Sequence, residues 1–195
     1  MTKTVVVVNG SPRRNGTVAQ LLHAVSDGCG ADCGVHWYDV NEMTVRPCTG
    51  CMKCRSTGTC VLPRDDAHAF AEDIRGCGGI IIGTPVYWGN MSGQLKLLFD
   101  RVVPALMGES PRGIPVPLHR GKRAVIITAC TTPWPFSVLF RQTGNAVRSL
   151  KEILRYAGFR ITGTLVLPGT KNKRGIPGRL LKKGCRLGKQ LHCSL

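Results

Sequence analysis

The sequence predicts an α/β fold: a doubly wound, five-stranded parallel sheet with helices on both faces. Three observations predict it. Apolar, β-branched runs of strand length (Val5–Val8, Ile80–Ile82, Val125–Ile127) are continuous rather than alternating, as strands buried on both faces require. Segments with helical spacing lie between them. Strand alternates with helix five times, which specifies parallel strands joined by right-handed crossovers. A length of 195 residues suits one domain, 1–195, without internal repeat or linker, and can bury a core without disulfide staples.

Each element follows from its own residues. Thr4–Asn9 is the first strand, rich in β-branched valine. Val18, Leu21, Leu22 and Val25 have helical spacing and place a helix within Gly16–Cys29, with Gly28 and Gly30 stopping it. Val35–Asp39 is a short second strand. Asp65 or Asp66 caps a helix to about Cys77, with Ala69, Phe70 and Ile74 inward. Gly79–Pro85 is the third strand and Leu95–Val103 the next helix. Lys122–Ala129 is the fourth strand, Val138–Gly158 a long helix, and Arg160–Leu167 the fifth strand. Leu180, Leu181, Leu187 and Leu191 can line one face of a last helix.

Composition narrows the class. Val5–Val8 ends in Asn-Gly-Ser-Pro without a cleavage site, and no apolar stretch approaches the ~18 residues of a membrane helix. A cytoplasmic protein is expected, with no membrane partner. There, ten cysteines point to metal or redox chemistry rather than a disulfide framework. Cys29, Cys33, Cys77, Cys130, Cys185 and Cys193 are scattered and read as small hydrophobes. The net charge is +16. Residues 171–195 are basic: Leu167 to Leu195 holds no acid but eight cations, Lys171, Lys173, Arg174, Arg179, Lys182, Lys183, Arg186 and Lys189. These form the solvated face of the last helix, or a surface for nucleic acid, an acidic partner or a phosphorylated cofactor such as NADPH. No aromatic residues interleave the charges, which disfavours nucleic acid.

In a doubly wound sheet, ligands bind beyond the C-terminal strand ends. The loop after strand one, Asn9 to Thr17, meets a helix N-terminus, where free N–H groups favour an anion. Ser11, Asn15, Gly16 and Thr17 offer donors, and Arg13 and Arg14 positive charge. A dinucleotide fingerprint is absent, and the triphosphate loop fails because Gly10 to Gly16 is one residue too long and Thr17 stands where Lys is needed. No cysteine has Arg six residues later, so C-x5-R phosphatase chemistry is unsupported. A single terminal phosphate, as in FMN, fits. After strand three, Pro85, Val86, Tyr87, Trp88, Gly89 and Asn90 can bring backbone and aromatic faces to a planar ring. After strand four, Thr131 or Thr132 can bond the ring's edge, in a loop held extended by Pro133 and Pro135. Asp100-Arg101 reads as a structural ion pair.

Residues 46–62 hold Cys48, Cys51, Cys54 and Cys60 in a C-x2-C-x2-C-x5-C run. Such compact spacing lets several thiolates converge on one small cluster. An iron–sulfur cluster, unmetallated thiols and zinc are the three readings, zinc the least suited because its structural sites pair ligands at two separated knuckles.

These residues resemble a known family. Gly10-Ser11-Pro12-Arg13, the Pro85–Asn90 loop with Gln94-Leu95-Lys96 and Phe99-Asp100-Arg101, and the Cys48–Cys60 run are similar to the iron–sulfur flavoproteins, within the flavodoxin-like NADPH-dependent FMN reductases. The resemblance is strongest from Val5 to Arg101. It implies the sheet order 2-1-3-4-5 and a homodimer or homotetramer. It implies Ser11, Arg13 and Thr17 as phosphate ligands, Pro85 to Asn90 as ring contacts, and a [4Fe-4S] cluster on Cys48, Cys51, Cys54 and Cys60. The function expected is an FMN-dependent oxidoreductase passing electrons between NAD(P)H or ferredoxin and a small-molecule acceptor. The flavin is the reactive centre, with no obligate catalytic side chain. Alternatives are a cluster-free NAD(P)H:FMN or quinone reductase, and a non-enzymatic flavodoxin-type carrier or redox sensor. The basic balance points to an acidic redox partner such as ferredoxin, or to NADPH.

Overall fold

The computed structural model describes residues 4–172 and 175–192; Lys173, Arg174 and Cys193, singled out above, lie outside the described residues. The main layers begin with β1 (Thr4–Asn9), α1 (Thr17–Ser26), β2 (Gly34–Asp39), then a short α2 (Cys54–Thr57) and α3 (Asp66–Gly76), β3 (Gly79–Pro85) and α4 (Gly93–Arg101). A short α5 (Val103–Leu106) leads to a small hairpin, β4 (Met107–Glu109) and β5 (Pro115–Pro117). The chain then returns to the layers through β6 (Arg123–Ala129), a short α6 (Phe136–Leu139), α7 (Gln142–Ala157), β7 (Arg160–Leu167) and α8 (Gly178–His192). The main sheet is parallel, in the order β2-β1-β3-β6-β7. Counting only its own five strands, this is the expected 2-1-3-4-5.

Side chains alternate across each strand and so divide the core in two. Val6, Val8, Ile80, Ile82 and Ile126 face Phe70, Leu98 and Leu150 of α3, α4 and α7. Val5, Val7, Ile81, Val125 and Ile127 face Leu21, Leu22, Leu187 and Leu191 of α1 and α8. Both faces are dry, which is why the strands read as unbroken apolar runs. No helix among the described residues is long and apolar enough to cross a membrane.

Several boundaries differ from expectation. The long helix breaks at Arg141, whose φ of +52° interrupts helical geometry, leaving α6 and α7. In α3 it is Ala67, not Ala69, that is buried with Phe70 and Ile74. Gly28 does not act through a left-handed stop, which Gly30 supplies with φ +93°. It lies where α8 crosses: a Cβ there would overlap the Cys185 backbone. The β4–β5 hairpin was not expected. Three residues per strand, with prolines at both ends of β5, carry no readable period. Cys29, Cys33, Cys77 and Cys130 are buried as expected of small hydrophobes, and Cys185 is half-buried.

His119 joins the returning hairpin to the core. Its ring is buried, stacks on Phe159 at 4.6 Å, and Nε2 donates to the Ala105 carbonyl at 2.8 Å. Burial, with Lys122 and Arg75 nearby, pushes its pKa down to about 4, against the smaller opposing effect of the Ala105 bond. The folded value lies below the unfolded one, so the unfolded chain takes up the proton first. Stability from this group is therefore complete above pH about 6.5 and declines until pH about 4, by about 3 kcal/mol in all. Urea unfolding at pH 7 and pH 4.5 checks this: the native chain should lose stability across the interval, and His119→Leu, weaker at pH 7, should lose less of it.

Candidate functional site

The loops after β1, β3 and β6 share one rim, because those strands are neighbours in the sheet. Backbone bonds join the strand ends: Gly10 N–H donates to Gly83 O at 2.7 Å, and Val86 N–H to Ala129 O at 2.9 Å. The fold thus brings the three expected flavin-binding segments together.

In the first loop, Asn9 organises the turn. Its side chain donates to Asp39 at 2.5 Å and accepts from Ser11 N–H at 3.1 Å. Ser11 is buried, and its hydroxyl oxygen accepts from Arg13 N–H at 3.2 Å. Asn15 spends its carbonyl on Gln20, and Gly16 N–H bonds Arg13 O, closing the turn into α1. Gly16 caps α1 without a side-chain bond, and the first turn, beginning at half-buried Thr17, contains no acid. That helix end therefore presents amide hydrogens and positive potential with no carboxylate competing. Arg13 is exposed, while Arg14 pairs with Glu42 at 2.5 Å.

The second loop is a tight hairpin. Tyr87 and Asn90 exchange both backbone bonds at 2.9 Å, and Trp88 and Gly89 between them have φ of +51° and +73°. Two consecutive left-handed residues make the primed turn that suits a two-residue hairpin, and Gly89 takes it without strain. Trp88 is fully exposed at the tip and Tyr87 about half-exposed, at 47%. Adjacent positions could not both bury an aromatic ring, as expected. Pro85 and Val86 are half-buried, and Asn90 Oδ1 accepts from Met91 N–H at 2.8 Å. Just behind, Ser92 N–H donates to Thr84 Oγ1 at 3.0 Å, fixing the start of α4.

The third loop carries Thr131, exposed, and Thr132, half-buried. The Thr132 carbonyl accepts from Gly169 N–H at 2.8 Å, which ties this loop to the one after β7. An apolar cleft of about 310 Å³ between α4, α5 and α7 meets this rim only through Asn90 and Met91.

The cysteine run follows β2 and only begins at this rim. Its middle folds back along the molecule: Arg55 pairs with Glu109 of β4 at 2.9 Å, and Gly58 O accepts from Arg75 in the last turn of α3 at 2.6 Å. Gly50, Met52 and Gly58 all have positive φ, so the chain reverses sharply between the cysteines. Cys48 and Cys51 are exposed, and Cys54 and Cys60 half-buried. Burial raises the Cys54 pKa, and the thiols of Cys60, Cys48 and Cys51 raise it further, so all four sulfurs share one electrostatic neighbourhood. Cys51 is lowered instead, first by the backbone N–H of Lys53. Four soft thiol donors suit a cluster by their chemistry. Among the described residues, however, no three His, Cys, Asp or Glu side chains gather closely enough to hold an ion.

One buried cation braces the run. Arg101 donates to Asp65 at 2.7 and 3.2 Å and to the Arg46 carbonyl at 2.6 Å, and the Cys60 thiol lies in its electrostatic surroundings. Asp65 in turn caps α3 and accepts from Arg46 N–H, while His68 reaches the Cys60 carbonyl at 3.1 Å. Burial alone would raise the Asp65 carboxyl, but Arg101 and the Arg46 N–H hold it below the usual range. The expected Asp100–Arg101 pair is two separate structural pairs: Asp100 binds Lys96 at 2.5 Å and Arg101 binds Asp65. Asp65 was legible as a cap. Arg101, 36 residues away, had no local signal.

The chain has relatives among known proteins. An iron-sulfur flavoprotein of Methanocaldococcus jannaschii is 33% identical over 106 residues, covering 53% of this chain and 54% of that one. Another, from Methanosarcina thermophila, is 36% identical over 99 residues, covering 49% and 50%. The chain spans about half the length of the curated relatives it matches. The structure of an NAD(P)H:quinone oxidoreductase from Methanothermobacter marburgensis shares the fold, with a TM-score of 0.71 at 18% identity over 98% of this chain and 96% of that one. The family described as NADPH-dependent FMN reductase matches residues 3–170. That stretch takes in all five parallel strands and every loop of the rim, and the chain belongs to this NADPH-dependent FMN reductase family.

Proposed function

We propose that the protein is an FMN-dependent oxidoreductase, fed by NAD(P)H or by ferredoxin, that delivers electrons to a small acceptor. One observation carries the reading. An acid-free helix end beside Ser11 and Arg13 shares a rim with the open aromatic hairpin at Tyr87 and Trp88. In this reading the α1 amide hydrogens, Ser11, Arg13 and Thr17 hold the FMN phosphate. Pro85 to Asn90 hold the ring, with Thr131 and Thr132 at its edge. Bound FMN supplies hydride acceptance and single-electron release. The protein's part is to orient the ring and leave one face open to an acceptor.

Cys48, Cys51, Cys54 and Cys60 hold a [4Fe-4S] cluster in this reading, which would supply one-electron exchange. It is supported by the compact spacing, the shared electrostatics of the four thiols, and the naming of the archaeal relatives. A cluster-free reductase is the second reading. Exposed Cys51, with its lowered pKa, favours it, being the thiol best placed for reactions of its own. In this reading the setting is cytoplasmic, where such thiols stay reduced, and the chain assembles as a homodimer or homotetramer.

Anaerobic purification followed by flavin, iron and acid-labile sulfide assays tests both. FMN with about four irons per chain is expected, and Cys51→Ala should lose iron and keep FMN. Flavin without iron leaves the cluster-free reductase. Absence of FMN binding, or no flavin reduction by NADPH, NADH or reduced ferredoxin, defeats the oxidoreductase reading.

A further inference from the structure

A second cleft opens beside the rim, where the loops after β6 and β7 meet the start of α8, which lies past the family-matched residues 3–170. It encloses about 400 Å³ between the loops after β6 and β7 and the first turn of α8, and its lining includes Trp134, Leu167, Pro168, Pro177, Arg179 and Leu180. That volume is within the range of small-molecule sites. Most of the lining is apolar. The two exceptions in character are Trp134, an indole 73% exposed on a loop flanked by two prolines, and Arg179, an exposed cation.

Arg179 has no carboxylate to answer it. It forms no ion pair among the described residues, and the sequence from Leu167 onward contains no acid. Lys182 and Lys183 follow at three and four residues, on the same side of α8, and both are exposed. The site therefore pairs one aromatic face and an apolar floor with a cluster of unanswered positive charge. A planar heterocycle would stack on the indole, and a phosphate dianion would meet the planar guanidinium in a two-point bond.

Its position says what such a ligand is for. Trp134 stands two residues beyond Thr132, and Thr132 is bonded to Gly169 in the other wall of the cleft. The cleft and the ring-edge wall of the flavin site are thus parts of one joined pair of loops. A concave pocket of this size selects a small ligand over the broad acidic face of a protein, which would engage α8 along its whole length.

We propose that this cleft binds the 2′-phosphorylated adenosine end of NADPH, with adenine on Trp134 and the 2′-phosphate on Arg179, Lys182 and Lys183. The proposal rests on the reading of the chain as a nicotinamide-fed FMN oxidoreductase, and it adds the basis for preferring NADPH to NADH.

Titration of the FMN-loaded protein with 2′,5′-ADP, followed calorimetrically and by tryptophan fluorescence, tests it. The expected results are saturable binding, at least roughly tenfold weaker binding of 5′-ADP, and a loss of about tenfold on Arg179→Ala, the range of a charge-assisted phosphate contact. Trp134→Phe should remove most of the fluorescence response, and Lys189→Ala, at the far end of α8, should change nothing. Equal binding of the two nucleotides, or an unaltered affinity in Arg179→Ala, overturns the proposal. The two readings fail separately. NADPH reducing FMN without 2′,5′-ADP binding defeats the cleft alone. Binding of 2′,5′-ADP by a protein whose flavin no nicotinamide reduces upholds the cleft and defeats the nicotinamide-fed reaction.

Discussion

Replacement of Arg101 by methionine is expected to destabilise the protein by about 3–5 kcal/mol, the cost of stranding a buried charge. Arg101 is shielded from solvent, as is the Asp65 carboxylate it binds. Removing the guanidinium leaves that carboxylate with only the backbone bonds from Ala67 and Arg46 and the His68 ring. It also frees the Arg46 flank of the cysteine run, since Arg46 O is a partner of the same guanidinium, and it loosens the contact of Asp65 with His68, whose ring reaches the Cys60 carbonyl. Two measurements check this. Urea unfolding should show the loss, and limited trypsin digestion should cut faster at Lys53 or Arg55. The double variant Arg101→Met with Asp65→Leu should lose less than the sum of the two single losses, because it leaves no unpaired charge. A single-variant loss under about 1 kcal/mol would place the pair among ordinary surface bridges.

Gly188→Val is expected to be comparably damaging, through packing rather than charge. An added Cβ at position 188 would overlap the Val25 carbonyl oxygen and lie 2.8 Å from the Gly28 backbone. Those atoms belong to α1 and the turn that ends it, and backbone cannot yield as a side chain can. Helix α8 must lift, withdrawing Leu187 and Leu191 from the core under β6 and β7. Full exposure of two such leucines costs about 3–6 kcal/mol, so partial lifting should cost about 3 kcal/mol. Hydrogen exchange should show α8 losing protection before the sheet does. A matched comparison is Gly144→Ala in α7, where an added Cβ meets nothing within 4 Å. That change should stabilise by about 0.5–1 kcal/mol, the helix advantage of alanine over glycine. If both glycine replacements behave alike, close helix contact is not the reason for Gly188.

The three central strands, β1, β3 and β6, were legible because burial on both faces writes an unbroken apolar run, the edge strands β2 and β7 by their place in the alternation of strand and helix, and the order followed from parallel crossovers and the family resemblance. The rim was legible for a related reason: in such a sheet, a polar loop between a strand and a helix has one place to be. That Trp88 and Tyr87 would not both be buried was readable because neighbouring rings cannot both enter a core. Local patterning ran out where the partner is distant in sequence. The long helix read as continuous, but Arg141 takes a left-handed conformation that no periodicity marks. Ala69 and Ala67 differ only in which side of α3 meets β1 and β3.

The chain's own pattern thus decides the sheet, the rim and the kinds of residue gathered in its loops, since these depend on near neighbours and on burial. Folding in three dimensions decides which groups act together. Arg101 braces the start of the cysteine run by reaching Asp65 and Arg46. Gly28 and Gly188 exist for a helix crossing between segments 160 residues apart in sequence. Trp134 and Arg179 become one cleft only when the loops after β6 and β7 are bonded together. Long-range contacts of this kind carry their energy in pairs, and neither member of a pair announces the other.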